Sequence, residues 1–277
     1  MLSESDRRFI YERAHVPEHL PDYVLSATGA EAHLYGGHVL YVRDGMLVLV
    51  GYPLEQPFDK EKLSDLIELA VKEFHPQTIS LLAPSIPPWR KPSSEVTEDV
   101  YYRLEIERLN LSARLRNMIT RASRELSCDR GRELHEEHLQ LMREFSKRPD
   151  VEDASRRIFA KVSEYVSHAP SSLVWSAKDE QGNLVAFTVA EYAARDYGFY
   201  MFNFRAKDRA VPGASDLLLQ EAIREAVRQG KRYMNLGLGI NRGVAFFKEK
   251  WGATPFLPYA TCTYTLGRPL LFRALGM

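Results

Sequence analysis

Cysteine is scarce in this 277-residue chain: Cys128 and Cys262 are its two thiols. They form neither a paired metal motif nor a disulfide framework, and they fit a reducing compartment. Net charge is lacking too, with 37 Lys plus Arg against 37 Asp plus Glu. Such a chain is no polybasic binder of double-stranded DNA, although a local basic patch stays open. No uninterrupted apolar run reaches the ~18 residues of a membrane helix, so no integral span is expected. The opening MLSESDRRFIYER is charged where a secretory leader would be apolar, which points to the cytoplasm. Neither Gly-x-Ser-x-Gly nor a P-loop occurs. Gly237-Leu-Gly239 does not extend to an ordered Gly-x-Gly-x-x-Gly, which argues against nicotinamide binding. The histidines have no metal-ligand spacing. His135 and His138, beside Glu136 and Glu137, are a weak pair at best, and no metal is expected.

Hydrophobic residues make up 45% of the chain and charged residues 27%, enough apolar material for a core and too much for disorder. The letters predict a helix over Glu4–Ala14. A hairpin follows across Arg43-Asp44-Gly45, then an amphipathic helix Asp59–Phe74 with Asp59 as N-cap, a buried strand Thr78–Ala83 and a weaker strand Val100–Ile106. A basic helix Leu111–Leu126 comes next, then helices over Arg132–Ser146 and Val151–Val166. Leu173–Ala177, Leu184–Tyr192 and Tyr197–Phe204 read as an antiparallel meander. Helix Ser215–Gln229 ends at Gly230. Strand Tyr233–Leu236 and short helix Val244–Trp251 precede an edge strand, Thr261–Leu266. The apolar tail Pro269–Met277 is too short to span a bilayer and is expected to pack on the body. The fold class is therefore α+β with a mixed sheet. Element order repeats faintly between the halves, which suggests an internal duplication.

Four places could carry chemistry. In Ala210-Val-Pro-Gly-Ala-Ser-Asp216, Gly213, Ala214 and Ser215 are small enough for a phosphate to approach the first free N–H groups of a helix. Asp216 argues against this, since its carboxylate would repel a phosphate, and an ordinary helix cap reads the same way. In Asn235-Leu-Gly-Leu-Gly-Ile-Asn-Arg-Gly243, Asn235 could address a substrate carbonyl, and Asn241 with Arg242 a phosphate or carboxylate. In Phe246–Gly252, Phe247 and Trp251 read as core. Lys248 lies on the flank and could neutralise a carbonyl oxygen during acyl transfer or a substrate phosphate, or remain a solvent lysine. Arg114, Arg116, Arg121 and Arg124 form a basic face for an anionic substrate, unless Glu133, Glu136 and Glu137 balance it. Tyr259 is a candidate proton donor by position. Glu191 or Asp196 would be a general base only if one faces the cleft.

The stretch Ser215–Gly252 resembles the C-terminal half of the GNAT-like acyltransferases of the Fem family, closest to the domain that ends the lysyl-phosphatidylglycerol synthases. The matching letters are Leu217-Leu218, then Gly230-Lys231-Arg232-Tyr233-Met234-Asn235-Leu236-Gly237, then Phe247-Lys248-Glu249-Lys250-Trp251-Gly252. Arg116–Ala122 is similar to the Arg-x-x-Ile-x-x-Ala helix before the second GNAT unit of such proteins. The resemblance implies two tandem GNAT-like (acyl-CoA N-acyltransferase) units. Residues 1–108 would be the degenerate one, and residues 109–277, led by the basic helix, would hold the donor site. It implies transfer of an acyl or aminoacyl group by direct attack of an amine or hydroxyl acceptor. The acceptor would be a small molecule or a lipid headgroup. The donor would be aminoacyl-tRNA or acyl-CoA, the latter a co-substrate rather than a tightly bound cofactor. Lys248 with Phe247 would sit at the donor's acyl or phosphate end and Gly213–Ser215 at its pyrophosphate. The usual coenzyme A pattern asks for a basic or amide residue at Ala210, where only Arg209 is adjacent, so the donor stays open. The alternative is a non-catalytic GNAT-like module that binds a lipid headgroup, nucleotide sugar or tRNA through the basic helix. The expected assembly is a monomer or homodimer.

Overall fold

A computed structural model describes residues 2–267, so the apolar tail Pro269–Met277 lies outside the described residues. The described residues divide into two compact units, one of residues 2–14, 18–101 and 255–267, the other of residues 15–17 and 102–254. Among the described residues no helix is long and apolar enough to cross a membrane.

In the first unit, helix α1 (Glu4–Arg13) starts at a capping box: Ser3 Oγ accepts from Asp6 N at 3.1 Å and Asp6 Oδ2 from Ser3 N at 3.0 Å. Helix α2 (Pro21–Thr28) was not expected. Pro21, which reads as a breaker, occupies its first turn, where a missing N–H costs nothing. Strands β1 (Glu31–Tyr35), β2 (His38–Arg43) and β3 (Met46–Val50) form an antiparallel meander. Asp44 and Gly45 both take positive φ (47° and 76°), the conformation that lets two residues reverse the chain. Helix α3 (Lys60–Phe74) is capped by Asp59, whose side chain accepts from the N–H groups of Glu61 and Lys62. Its Leu63 and Ile67 are fully buried, each contributing about 1.5–3 kcal/mol of apolar transfer. Strand β4 (Thr78–Ala83) returns parallel to β3 through five pairs, Met46↔Thr78 to Val50↔Leu82. The chain passes to the second unit within β5 (Thr97–Glu105).

In the second unit, α4 (Ala113–Glu125) buries Leu115, Ile119 and Ala122 and exposes its arginines. Strand β6 (Ser127–Gly131) follows unannounced. It is an edge strand of polar residues with no apolar alternation to reveal it. Helix α5 (Glu136–Ser146) comes next. The single helix expected over Val151–Val166 is two, α6 (Asp153–Phe159) and α7 (Val162–His168). The break at Ala160 directs Phe159 into an aromatic cluster with Phe145, Phe202 and Phe204. Strands β7 (Ser172–Lys178), β8 (Leu184–Glu191) and β9 (Tyr197–Arg205) are the expected meander. Helix α8 (Ala214–Arg228), strand β10 (Tyr233–Leu238, parallel to β9) and helix α9 (Arg242–Glu249) complete the unit. Its sheet runs β10-β9-β8-β7-β6, with α8 packed on β7–β9. On β9, Phe204 meets Phe145 of α5, while its neighbour Asn203 bonds to Ser215 of α8. Adjacent strand residues point to opposite faces, so α5 and α8 cover opposite sides.

The last strand, β11 (Thr254–Thr265), corrects the sequence reading. It does not close the second half's sheet as an edge strand. From Ala260 to Thr265 it pairs antiparallel with β4, in the first unit. Cys262 and Tyr264 are buried there with Leu63, Ile67 and Leu81.

Candidate active site

The parallel contact between β9 and β10 is short. It covers Tyr233↔Tyr197, Met234↔Gly198 and Asn235↔Phe199, and then stops although both strands continue. The carboxyl ends of the two strands therefore form a fork, the place where open sheets receive ligands. A β-bulge sits at the same level: Val189 pairs with Phe202 and Ala190 with Tyr200, which leaves Met201 unpaired. The bulge brings Tyr200 and Asn203 to one face. The Tyr200 ring stacks on Phe247 of α9 (centroids 6.4 Å apart), and Asn203 Nδ2 donates to Ser215 Oγ of α8 at 3.0 Å. Asn203 Oδ1 is buried and makes no hydrogen bond among the described residues, while the buried Tyr200 Oη faces the Thr188 hydroxyl oxygen, which can accept from it. Thr188 cannot donate to either, since its hydroxyl proton goes to Phe202 O at 2.5 Å. Burial pushes the Tyr200 hydroxyl above the usual phenol range, so it is a neutral donor. The alternation of aromatic letters along β9 concealed this pair; the bulge that creates it has no sequence signal.

The α8 start lies beside them. Gly213 takes φ +86°, which glycine adopts cheaply, and an added Cβ would stand 3.1 Å from Met118 Cγ and from the Met118 carbonyl oxygen of α4. The first helical bond runs from Leu217 N to Gly213 O (2.8 Å), so the N–H groups of Ser215 and Asp216 precede the ladder and point out of the helix end. The carboxylate of Asp216 is not the obstacle its position suggests. It is buried and accepts from Lys250 Nζ at 2.8 Å and from Trp251 Nε1 at 2.8 Å. Its charge is answered within the protein and α8 is tied to the end of α9.

Lys248 is buried, 4% exposed, rather than on the flank. Its Nζ donates to Leu238 O at the end of β10 and lies 5.6 Å from the Tyr102 ring centroid. The residue expected to be core, Phe247, is half-buried instead. Asn235 is fully buried: Oδ1 accepts from Gly237 N at 2.8 Å and Nδ2 donates to His15 O at 2.9 Å, so its amide shapes the end of β10. Asn241 caps α9, accepting from Val244 N at 3.0 Å, and with Arg242 it is exposed. Before it Ile240 holds φ +60°, unfavourable for a β-branched residue.

On α4, Arg114 and Arg116 are exposed, and Arg116 donates to Leu111 O. Arg116, Thr120 and Ser123 line a pocket of about 450 Å³ with Cys128, Gln220 and Arg224. Tyr259 belongs to the first unit, on β11, and burial pushes its hydroxyl up to about 12. Glu191 does not face a cleft. It is 2% exposed, Oε1 accepts from the N–H groups of Tyr192 and Ala193, and Oε2 accepts from Tyr165 Oη at 2.7 Å. Burial raises its carboxyl above the usual range. His138 has both ring nitrogens engaged, Nδ1 by His135 N and Nε2 by Ser176 Oγ.

No protein-family model matches the chain, and no curated protein matches its sequence. Solved structures do match. FemX superposes with a TM-score of 0.64 at 11% identity, over 99% of this chain and 98% of that one. L-PGS from Bacillus licheniformis gives 0.58 at 14%, over 98% and 94%. A tandem GNAT protein from the clavulanic acid biosynthesis pathway gives 0.56 at 13%, over 95% and 94%. The fold is mixed α/β and GNAT-like, similar to that of these three structures.

Proposed function

We propose that the chain transfers an acyl or aminoacyl group from an activated donor to an amine or hydroxyl acceptor. The donor is held at the β9/β10 fork. The observation that carries this reading is the fork itself, with Asn203 Oδ1 buried and unpaired beside the start of α8. A stranded polar atom is costly, about 1–3 kcal/mol, and an amide N–H of the donor would satisfy this acceptor. The Ser215 and Asp216 N–H groups would hold the donor's phosphate, the more readily because Lys250 neutralises Asp216. Gly213 and Ala214 allow its close approach, and Phe247 borders the same space. Lys248 would stabilise the carbonyl oxygen as it becomes anionic. The acceptor's lone pair forms the new bond to the carbonyl carbon. The bond to the thiolate of coenzyme A or to the ribose oxygen of an aminoacyl-tRNA breaks, and that leaving group takes up the proton that the acceptor loses. Catalysis is then mainly positioning and charge stabilisation.

The two units would descend from one duplicated ancestor. Each contains an antiparallel meander, a helix and a strand returning parallel to the meander's last strand. In the first unit the parallel pair stays closed: five pairs are followed by Gly51 N to Leu82 O at 2.7 Å. Its β3/β4 pair opens no fork among the described residues, which supports reading that unit as the degenerate copy and residues 109–277 as the donor-binding one.

The test is calorimetric titration with acetyl-coenzyme A and with an aminoacyl-tRNA, followed by transfer from a labelled donor. Binding should weaken in Asn203→Leu, and transfer should fall at least about a hundredfold in Lys248→Met while the fold persists. Full transfer by Lys248→Met would remove that residue's role; failure of both donors to bind would overturn the reading. The α4 pocket favours a second reading, an anion-binding module without turnover. It predicts strongly salt-dependent binding that Arg116→Glu abolishes.

A further inference from the structure

The first unit contains a carboxylate placed as though for a cation that the chain does not supply. Glu18 is half-buried just after the short helical turn Pro17–His19 begins. Its Oε2 accepts from Tyr101 Oη at 2.8 Å, and its carbonyl oxygen accepts from Tyr41 Oη at 2.8 Å. Among the described residues no ion pair includes it. Its neighbours are phenols. The Tyr101 ring meets the rings of Tyr52, Tyr259 and Phe256 at centroid distances of 5.9, 5.6 and 6.5 Å. Tyr23 and Tyr259 lie within electrostatic reach of the carboxylate. Burial holds the Glu18 carboxyl above its usual range, opposed only by the Tyr101 hydroxyl and a backbone hydrogen bond.

A merely structural role would be served better by glutamine, which would accept the Tyr101 bond without the cost of a buried charge. The cluster also reaches the surface, because Glu18, Tyr23, Phe256 and Tyr259 are all half-buried. Aromatic ring faces attract cations through their quadrupole, and a carboxylate adds charge and a hydrogen-bond acceptor. An inorganic divalent ion is a poorer fit, since it needs several oxygen ligands and one carboxylate supplies at most two. We propose that Glu18, held by the buried Tyr101 hydroxyl, forms with the half-buried rings of Tyr259 and Phe256 a recognition site for an alkylammonium group. The N–H groups donate to the carboxylate and the alkyl stem lies against the rings. The site belongs wholly to the first unit and does not depend on the transfer reading.

The test uses the full chain and n-butylammonium chloride, with n-butanol as the uncharged isostere and sodium chloride at matched ionic strength. Binding is read by calorimetry and by tyrosine absorbance difference. Butylammonium should bind saturably and butanol should not. Glu18→Gln should weaken butylammonium about tenfold or more while circular dichroism stays unchanged. Tyr259→Leu, at the half-buried rim, should weaken it too, and this variant keeps the proposal testable if Glu18→Gln unfolds. Equal binding by Glu18→Gln and the parent, equal binding of butanol, or no saturable binding of butylammonium would overturn the assignment.

Discussion

Asp216 offers the sharpest quantitative test of how the fork is built. Its side chain is 6% exposed and receives Lys250 Nζ at 2.7–2.8 Å and Trp251 Nε1 at 2.8 Å. Asp216→Ala removes both bonds. The Trp251 indole N–H is then stranded in a residue that is 1% exposed, which costs about 1–3 kcal/mol. Lys250, at 24% exposure, can turn partly to water, and its loss is smaller, about 1 kcal/mol. The expected total is about 3 kcal/mol. Lys250→Met should cost a similar ~3 kcal/mol, because it leaves a buried carboxylate with only the indole as donor. The double variant should fall short of the sum by about 1.5–2 kcal/mol, since each single change already spoils the same interaction. Urea denaturation followed by tryptophan fluorescence reads all three, at constant slope. A loss below ~1 kcal/mol in Asp216→Ala, or strict additivity in the double variant, would refute the view that this carboxylate anchors α8 to α9.

Three further outcomes are expected. Gly213→Ala should destabilise by about 1–3 kcal/mol in the same assay, because φ +86° strains any Cβ and this one meets α4 at 3.1 Å. Cys128 should resist iodoacetamide at pH 8 in the folded protein and react after unfolding, since burial pushes its thiol up to about 12; rapid native labelling would contradict this. Glu191, whose carboxyl burial raises above its unfolded value near 4.5, binds its proton more tightly in the folded state. Its contribution is fully present below that unfolded value and is lost as pH rises through the higher folded one. Glu191→Gln should therefore flatten the decline of urea midpoint with rising pH, and an unchanged slope would count against the assignment.

Much of the fold was legible because its elements follow periodic apolar patterns. Helix α3 with its Asp59 cap, the β7–β9 meander and α8 ending before Gly230 are all driven by local burial, which the letters display. The misses have a common cause. Strand β6 is polar along its length, and α2 opens on a proline that a breaker rule misreads. Strand β11 carries no mark of its partner: nothing in Thr261–Leu266 says that it pairs with a strand almost two hundred residues earlier, since sheet neighbours are chosen by long-range register.

The candidate site shows the same division more finely. The stretches around Gly213–Ser215 and Phe247–Lys248 were visible as unusual letters, yet the partners that decide what those residues can do were not. Asp216 read as a repulsive charge, and it is instead the acceptor that joins two helices at the fork. Lys248 read as a flank residue because its neighbour Phe247 was assigned to the core; a helix rotation of one residue exchanges the two. Asn235 read as a reaching amide, but a side chain at the end of a central strand is first recruited to satisfy nearby backbone groups, here Gly237 N and His15 O. Tyr200 and Asn203 were hidden by a bulge at Met201 that puts odd and even positions of one strand on the same face. A polar atom left unsatisfied in the interior is evident only once every neighbour is placed, so the feature that points most directly to a ligand is the one a linear reading is least able to find.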